Sequence, residues 1–140
     1  MNTNLNRFLE AQESVYEQAL SEIKSGRKRS HWMWYIFPQF AGLGHSETAK
    51  FYSIKSVEEV KAYLNHPVLG TRLREITREL LTTENPDANH IFGSPDDLKL
   101  RSSMTLFSLV DQTPDFIFKK VLDHYFNGQS DEKTLTLANQ

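Results

Sequence analysis

The chain has no cysteine, which excludes disulfide bonds, thiolate metal ligands and cysteine nucleophiles and fits a reducing compartment. It also lacks an excess of positive charge, since 16 Lys and Arg residues stand against 18 Asp and Glu residues. A formal net charge of -2 provides no global basic field, so any anion site has to be local. No signal-like N-terminus and no apolar run near the roughly 20 residues of a membrane span is present, so we expect a cytoplasmic protein.

The length and composition are those of one globular domain. The 140 residues suffice for a core without disulfides or metals, and 39% hydrophobic with 24% charged residues argues against disorder. We therefore expect a single helical domain over residues 1–140.

Apolar residues recur at spacings of three and four along most of the chain. Between Asn4 and Ser25 this pattern predicts one amphipathic helix, ended by Gly26. Ser56, with a glutamate three residues later, predicts a capping box and a second helix. Thr113-Pro114 predicts a later helix start of the same kind as Ser94-Pro95.

Six strong helix predictions and no convincing pair of strands indicate an all-α fold. We expect a compact single-domain orthogonal bundle of about six helices. The tail from Asp131 stays open, since its leucines alternate as in a strand but also fit a last turn of helix.

The strongest signal is the aromatic segment Ser30–Ser46, S-H-W-M-W-Y-I-F-P-Q-F-A-G-L-G-H-S. Six consecutive large apolar residues, Trp32 to Phe37, are separated from the cations Arg27 to Arg29 only by Ser30 and His31. The run has neither a strand nor a helix period, so an ordered structure has to cover it on nearly all sides. A core position for most of these side chains is the simpler interpretation.

A ligand pocket is the second interpretation, because polar groups flank the aromatic ones. Aromatic faces allow stacking, the glycines allow close backbone approach, and Ser46 begins a helix whose free amides attract anions. The expected ligand is small and anionic, bearing a phosphate or a nucleotide. The candidate ligand-binding residues are Arg29, Trp32, Trp34, Gln39, Gly42, Gly44, Ser46 and Ser103.

His31 and Lys99 are the candidate catalytic residues. Histidine is the side chain that changes charge near neutral pH, although a hydrogen-bonded structural histidine remains the alternative for His31. Lys99 lies one helical turn before Ser103, but a serine inside a helix lacks oxyanion donors, so we expect an electrostatic role for the lysine. Hydrolysis is the least demanding reaction because it needs no cofactor, and none is expected. The five histidines have no chelating spacing, so no metal site is predicted.

Three stretches of the chain resemble an uncharacterised bacterial family, a domain of unknown function sometimes labelled "calpastatin". They are the aromatic segment, Y-L-N-H-P-V-L-G-T-R-L and D-D-L-K-L-R-S-S-M-T-L-F, and the likeness runs from Phe8 to Asp131–Leu135. The resemblance implies a small, largely helical single-domain protein and supplies no catalytic residues. An extended protease inhibitor would be poor in aromatics, whereas this chain has nine Phe, five Tyr and two Trp, so the label does not fit its composition.

Two function classes therefore remain open. The first is a domain that binds a small anion. The alternative is a non-enzymatic interaction module, in which the tryptophans are core and an exposed part of Trp34–Phe40 docks a protein partner. Nucleic-acid binding requires a basic stripe, and the glutamates between Arg72, Arg74 and Arg78 argue against one.

Overall fold

The computed structural model describes residues 5–83 and 87–139. Within these ranges the chain forms ten helices: α1 (Asn6–Glu13), α2 (Tyr16–Lys24), α3 (Met33–Ile36), α4 (Glu47–Tyr52), α5 (Val57–Asn65), α6 (Leu69–Leu81), α7 (Ala88–Phe92), α8 (Asp96–Ser108), α9 (Ile117–Phe126) and α10 (Glu132–Ala138). The helical class is confirmed, and the tail is helical. The predicted number of about six helices was wrong, because short helices such as α3 and α4 leave little periodic signal. Extended pairing in the described ranges is limited to one parallel bridge, Phe40 with Ile54.

The first predicted helix is broken into α1 and α2 at Ser14 and Val15. Its predicted first residue, Asn4, lies outside the described residues. Helix α1 packs against α3, whereas α2 packs against α6. At the end of α1, the Gln12 amide donates to the Tyr35 carbonyl at 2.7 Å and to the Tyr63 hydroxyl at 3.0 Å. The break lets two consecutive segments meet different neighbours.

The predicted capping box at Ser56 forms only in part. Ser56 Oγ accepts from the Glu59 amide at 3.1 Å, but the Glu59 carboxylate accepts from the Lys55 amide at 2.8 Å instead of returning to Ser56. Its other oxygen accepts from buried Arg7 at 3.2 Å. Arg7 also donates to two backbone carbonyls in residues 51–53 at 2.8 and 2.9 Å, so α1 is tied to the start of α5.

Left-handed backbone marks several helix ends. Gly26 has φ 84° just after α2, as predicted, and Asn127 with Gly128 ends α9 at φ 56° and 75°. Helix α9 begins at Ile117 and not directly after Thr113-Pro114, since Phe116 before it has φ 49° and ψ 44°.

The core takes side chains from α1, α2, α5, α6, α8 and α9 and from the segment around α3. Its largest fully buried side chains include Trp32, Tyr63, Phe8, Phe107 and Phe118. None of the described helices has the length and apolar character that a membrane crossing needs.

Candidate functional site

Most of the aromatic segment is core. Trp32, Met33, Ile36 and Phe37 are buried, and three of them belong to α3 or end it. Trp34, by contrast, is only partly buried. The core interpretation therefore holds for most of this segment, and the exposed edge begins at Trp34.

A buried carboxylate fixes the chain before Trp32. Glu22 accepts five hydrogen bonds: from Gln18 Nε2 at 3.1 Å, the Arg29 amide at 2.8 Å, the Ser30 amide at 3.1 Å, Ser30 Oγ at 2.7 Å and Trp32 Nε1 at 2.9 Å. Burial alone raises the pKa of Glu22, but the hydrogen bonds from Arg29, Ser30 and Trp32 outweigh it and lower the pKa from 4.5 to about 2. The carboxylate is thus a fixed anion that draws the backbone of residues 29–32 onto α2.

The glycine turn approaches α4 closely. A Cβ built on Gly44 would lie 2.5 Å from the Ala49 Cβ, so no side chain fits there without movement. Ser46 caps α4 as predicted, its Oγ accepting from the Ala49 amide at 3.1 Å. Because α4 has only six residues and the cap already uses one amide, we assign no anion site to this helix end.

Gln39 is held at the other end of the turn by the isolated bridge. Its carbonyl accepts from the Ile54 amide at 2.9 Å, and the Ala41 amide donates to the Ile54 carbonyl at 2.8 Å. The side chain of Gln39 is partly exposed beside Trp34.

A groove of about 380 Å³ opens beside Trp34. The aromatic segment and the start of α4 form one side of the groove. The first turns of α8 and the start of α10 form the rest. Its lining residues are Trp34, Gln39, Leu43, Gly44, His45, Ser46, Ala49, Pro95, Leu98, Lys99, Ser102, Asp131 and Lys133.

Lys99 reaches the groove from the first turn of α8. Its Nζ lies 5.3 Å from the centroid of the Trp34 ring, within cation–π range. The same Nζ is 3.5 Å from Asp96 Oδ1, and the other oxygen of Asp96 is 2.9 Å from Lys28 Nζ. One carboxylate is thus shared by two ammonium groups, which leaves net positive charge next to Trp34.

The rest of the rim contributes a second lysine, a histidine and a carboxylate. Lys133 and His45 line the groove, and the carboxylate beside them belongs to Asp131. That carboxylate caps α10, accepting from the Thr134 amide at 3.0 Å and from the Thr134 hydroxyl. Both bonds go to Oδ2 and the carboxylate keeps its charge, but among the charged side chains that line the groove Lys99 and Lys133 outnumber Asp131.

The structure brings half of the sequence-predicted site residues together. Those that line the groove are Trp34, Gln39, Gly44, Ser46 and Lys99. Those that do not line it are Arg29, His31, Trp32, Gly42 and Ser103.

Each residue outside the groove has a structural reason for its place. Arg29 and His31 are exposed because Glu22 holds the neighbouring backbone and the Trp32 indole inward. Trp32 itself is fully buried. A Cβ on Gly42 would lie 3.2 Å from a methyl group of Leu137, and Ser103 is buried on the core side of α8.

Sequence reasoning missed several groove residues: His45, Leu98, Ser102, Asp131 and Lys133. His45 lies within the glycine turn, so its position in the sequence already indicated that it could line a pocket there. Asp131 and Lys133 come from a tail whose conformation the pattern leaves open, so nothing in the sequence places them beside Trp34. Across residues 5–83 and 87–139, no group of three or more His, Asp or Glu side chains is arranged to hold a metal ion.

Comparison with known proteins places the chain in a family. A family model described as "Protein of unknown function (DUF1810)" matches residues 2–138. The chain belongs to the DUF1810 family. A DUF1810-like fold is also seen in a solved structure, described as "the conserved hypothetical protein Rv1873 from Mycobacterium tuberculosis". That protein is 44% identical, with a TM-score of 0.94 over 98% of this chain and 97% of the other.

Curated proteins give no match to this DUF1810 chain. The family is one of unknown function, as the resemblance of the three motifs implies. The description of the DUF1810 family contains no reference to calpastatin.

Proposed function

We propose that the groove beside Trp34 binds a small anionic ligand that carries a phosphate group, of the nucleotide or sugar-phosphate class. The observation that supports this most directly is the pairing of Lys99 with Trp34, whose ring centroid is 5.3 Å from the ammonium. Because the ammonium lies over the Trp34 ring, an anionic group that pairs with Lys99 would also lie beside an aromatic surface that can contact the rest of the ligand.

The remaining groove residues extend this proposal. Lys133 supplies a second ammonium, and Gln39 and Ser46 add polar side chains. The volume of about 380 Å³ falls within the roughly 300–1,000 Å³ of small-molecule sites. The lack of cysteine fits a reducing compartment, and on that basis the proposal places the protein in the cytoplasm.

Hydrolysis of the bound phosphate compound is a narrower proposal, favoured by an imidazole at the groove. His45 lines the groove and is exposed, whereas His31 lies outside it. We therefore give the acid or base role to His45 and keep Lys99 as the group that stabilises developing negative charge. The reaction needs no cofactor.

A thermal-shift screen tests the binding proposal. The probes are inorganic phosphate, ADP, ADP-ribose and glucose 6-phosphate, each at increasing concentration. A ligand at 100 times its Kd stabilises the folded state by about 2.7 kcal/mol, so Tm should rise with concentration for at least one organic phosphate. Lys99→Met removes one charged contact, so the apparent affinity for that ligand should fall about tenfold. The variant should therefore show a smaller rise in Tm at a given ligand concentration.

Matched controls come from cations outside the groove. Arg29→Ala and Lys120→Ala remove exposed cations that do not line it and should leave the ligand response unchanged. A flat screen, or equal loss of binding in all three variants, contradicts the proposal and favours a protein-docking module built on the half-buried Trp34 and Tyr35.

Phosphate-release measurements separate binding from hydrolysis. Any probe that binds is incubated with the protein and followed by ³¹P NMR. The narrower proposal requires product formation that His45→Asn abolishes and His31→Asn leaves intact. If a probe binds without product formation, the protein is a binding domain without this hydrolase activity. Equal effects of both substitutions would contradict a catalytic role for His45.

A further inference from the structure

Residues 127–131 form the turn between α9 and α10, and this turn determines where α10 begins. Its last residue, Asp131, and Lys133 in the first turn of α10 both line the groove beside Trp34. One of the two lysines of the groove therefore depends on a turn that lies far along the chain from the aromatic segment. The position of the turn sets where this lysine stands relative to Lys99.

Two side chains of α8 hold the turn. Arg101 donates from Nε to the Gln129 carbonyl at 3.0 Å and from Nη2 to the Ser130 carbonyl at 2.7 Å. Thr105, one helical turn further along α8, accepts from the Asp131 amide at 2.9 Å through its hydroxyl. The same hydroxyl donates to the Arg101 carbonyl at 2.8 Å. Three successive residues of the turn are thus bonded to α8.

The backbone of the turn supplies little of this support itself. The Gln129 amide donates to the Phe126 carbonyl at 3.0 Å, but no backbone amide of the described residues donates to the carbonyls of Gln129 or Ser130. A guanidinium can satisfy two adjacent carbonyls at once because its N–H groups form a rigid planar fork. Its hydrogen bonds are also stronger than those of a neutral donor. Arg101 therefore takes the place of backbone pairing in this turn.

The contact with the turn also fixes the start of α10. Asp131 caps this helix by accepting from the Thr134 amide at 3.0 Å, and Thr134 is fully buried. Lys133 precedes Thr134 and is exposed at the groove. Arg101 itself does not line the groove, so it does not contact a ligand there. An effect of Arg101 on binding has to act through the position of residues 131–133.

We propose that Arg101 is a positioning residue of the groove: it holds the 129–131 turn on α8 and thereby places Lys133 in the groove. The expected effect on affinity rests on the anion-binding function proposed above. The holding of the turn itself needs no ligand, so the two proposals can fail separately.

Spin labelling tests the holding of the turn without a ligand. Because the chain has no cysteine, Lys133→Cys provides a single attachment site for a nitroxide label. The EPR spectrum should show a more mobile label when Arg101→Gln is added, because two hydrogen bonds between the turn and α8 are lost. Arg72→Gln is the matched control, since this partly buried arginine of α6 donates to Gln12 and should leave the label unchanged.

The label mobility decides the proposal. A folded Arg101→Gln protein whose label is no more mobile than that of Arg72→Gln overturns it. If Arg101→Gln does not fold, Arg101→Lys takes its place. Lysine keeps the charge but cannot bond both carbonyls with a planar fork, so the label should be more mobile than with arginine. Equal mobility in Arg101→Lys would then overturn the proposal.

A double-mutant cycle with ADP tests the consequence for binding. Arg101→Gln should weaken ADP binding about threefold, roughly the contribution of one exposed charge pair. In the Lys133→Met background the same substitution should cause no further loss. In the Lys99→Met background it should again cause a loss of about threefold, because Lys99 belongs to α8 and does not depend on the turn.

The two backgrounds separate positioning from a general structural role. Equal losses in Lys133→Met and Lys99→Met would show that Arg101 does not act through Lys133, and this would overturn the proposal. If no phosphate probe binds but Arg101→Gln mobilises the label, the anion-binding proposal fails and the positioning of residue 133 by Arg101 is supported.

Discussion

Trp32 and Trp34 stand two residues apart, yet one is fully buried and the other lines a groove. Each has a lysine over its ring at nearly the same distance, Lys28 at 5.1 Å from Trp32 and Lys99 at 5.3 Å from Trp34. The two lysines even share the carboxylate of Asp96. The cations therefore do not explain the different burial of the two indoles.

The difference lies in the partner of the indole N–H. Trp32 Nε1 donates to buried Glu22 at 2.9 Å, so the whole side chain can leave water without an unpaired donor. For Trp34 no such bond is present in the described structure, and its ring stays partly exposed. A buried carboxylate on α2 thus decides which tryptophan becomes core and which remains available to a ligand.

Alanine substitutions at Trp32 and Trp34 should differ in their loss of unfolding free energy, and this is the largest effect we expect. Trp32→Ala leaves a large cavity in the core and removes one of the five hydrogen bonds to buried Glu22, so we expect a loss of about 4 kcal/mol in the free energy of unfolding. Trp34→Ala should lose only about 1 kcal/mol, since its ring is partly exposed. Urea unfolding measures both, and similar losses would contradict the division into core and groove.

Glu22→Gln tests the carboxylate directly. The folded-state pKa lies below the ordinary 4.5, so the carboxylate stabilises the fold above pH 4.5 and loses that effect as pH falls towards 2. From the shift we expect a loss of about 3 kcal/mol for the variant at neutral pH. The difference between wild type and variant should shrink on acidification across that window.

Unfolding free energies measured at several pH values check this expectation. Glu17→Gln, an exposed carboxylate on the same helix, is the matched control and should show little loss at neutral pH. A constant difference between wild type and Glu22→Gln from pH 5 to about 2 would contradict the assigned role.

Asp96→Asn should have the smallest effect, a change in ligand affinity, and it tests the role of Lys99 beside Trp34. Removing the carboxylate 3.5 Å from Lys99 frees the ammonium, so the affinity for a phosphate ligand identified in the screen should rise about threefold. Asp97→Asn is the control, because Asp97 also lies in the first turn of α8 but pairs with no lysine in the described structure. Weaker binding in Asp96→Asn would contradict an electrostatic role for Lys99.

Local patterns were reliable where one segment determines its own structure. The N-cap at Ser56, the glycine after α2 and the end of α9 all follow from residues within a few positions of each other. The break between α1 and α2 was missed because it serves contacts with α3 and α6, which local periodicity does not encode. A weak signal was present, since Gln12 interrupts the apolar stripe and turns out to be buried as a hydrogen-bonding residue.

The site was harder to predict for the same reason. Trp34, Gln39 and Lys99 were identified from residue type, but their meeting depends on how α8 packs against the aromatic segment. His31 was the predicted acid or base, but it lies outside the groove and His45 lines it. Glu22 reverses that expectation by drawing both neighbours of His31 inward, and no short-range pattern links residue 22 to residues 29–32.

The contact between Gly44 and Ala49 has a consequence for redesigning this groove. At Gly44 the boundary is peptide backbone, and a Cβ there would lie 2.5 Å from the methyl group of Ala49. Substitution at that position cannot tune selectivity, because any side chain displaces the turn before it meets a ligand. Engineering of a new specificity would have to begin at Leu43, His45 or Lys133, where the border consists of side chains that can be exchanged without moving the chain.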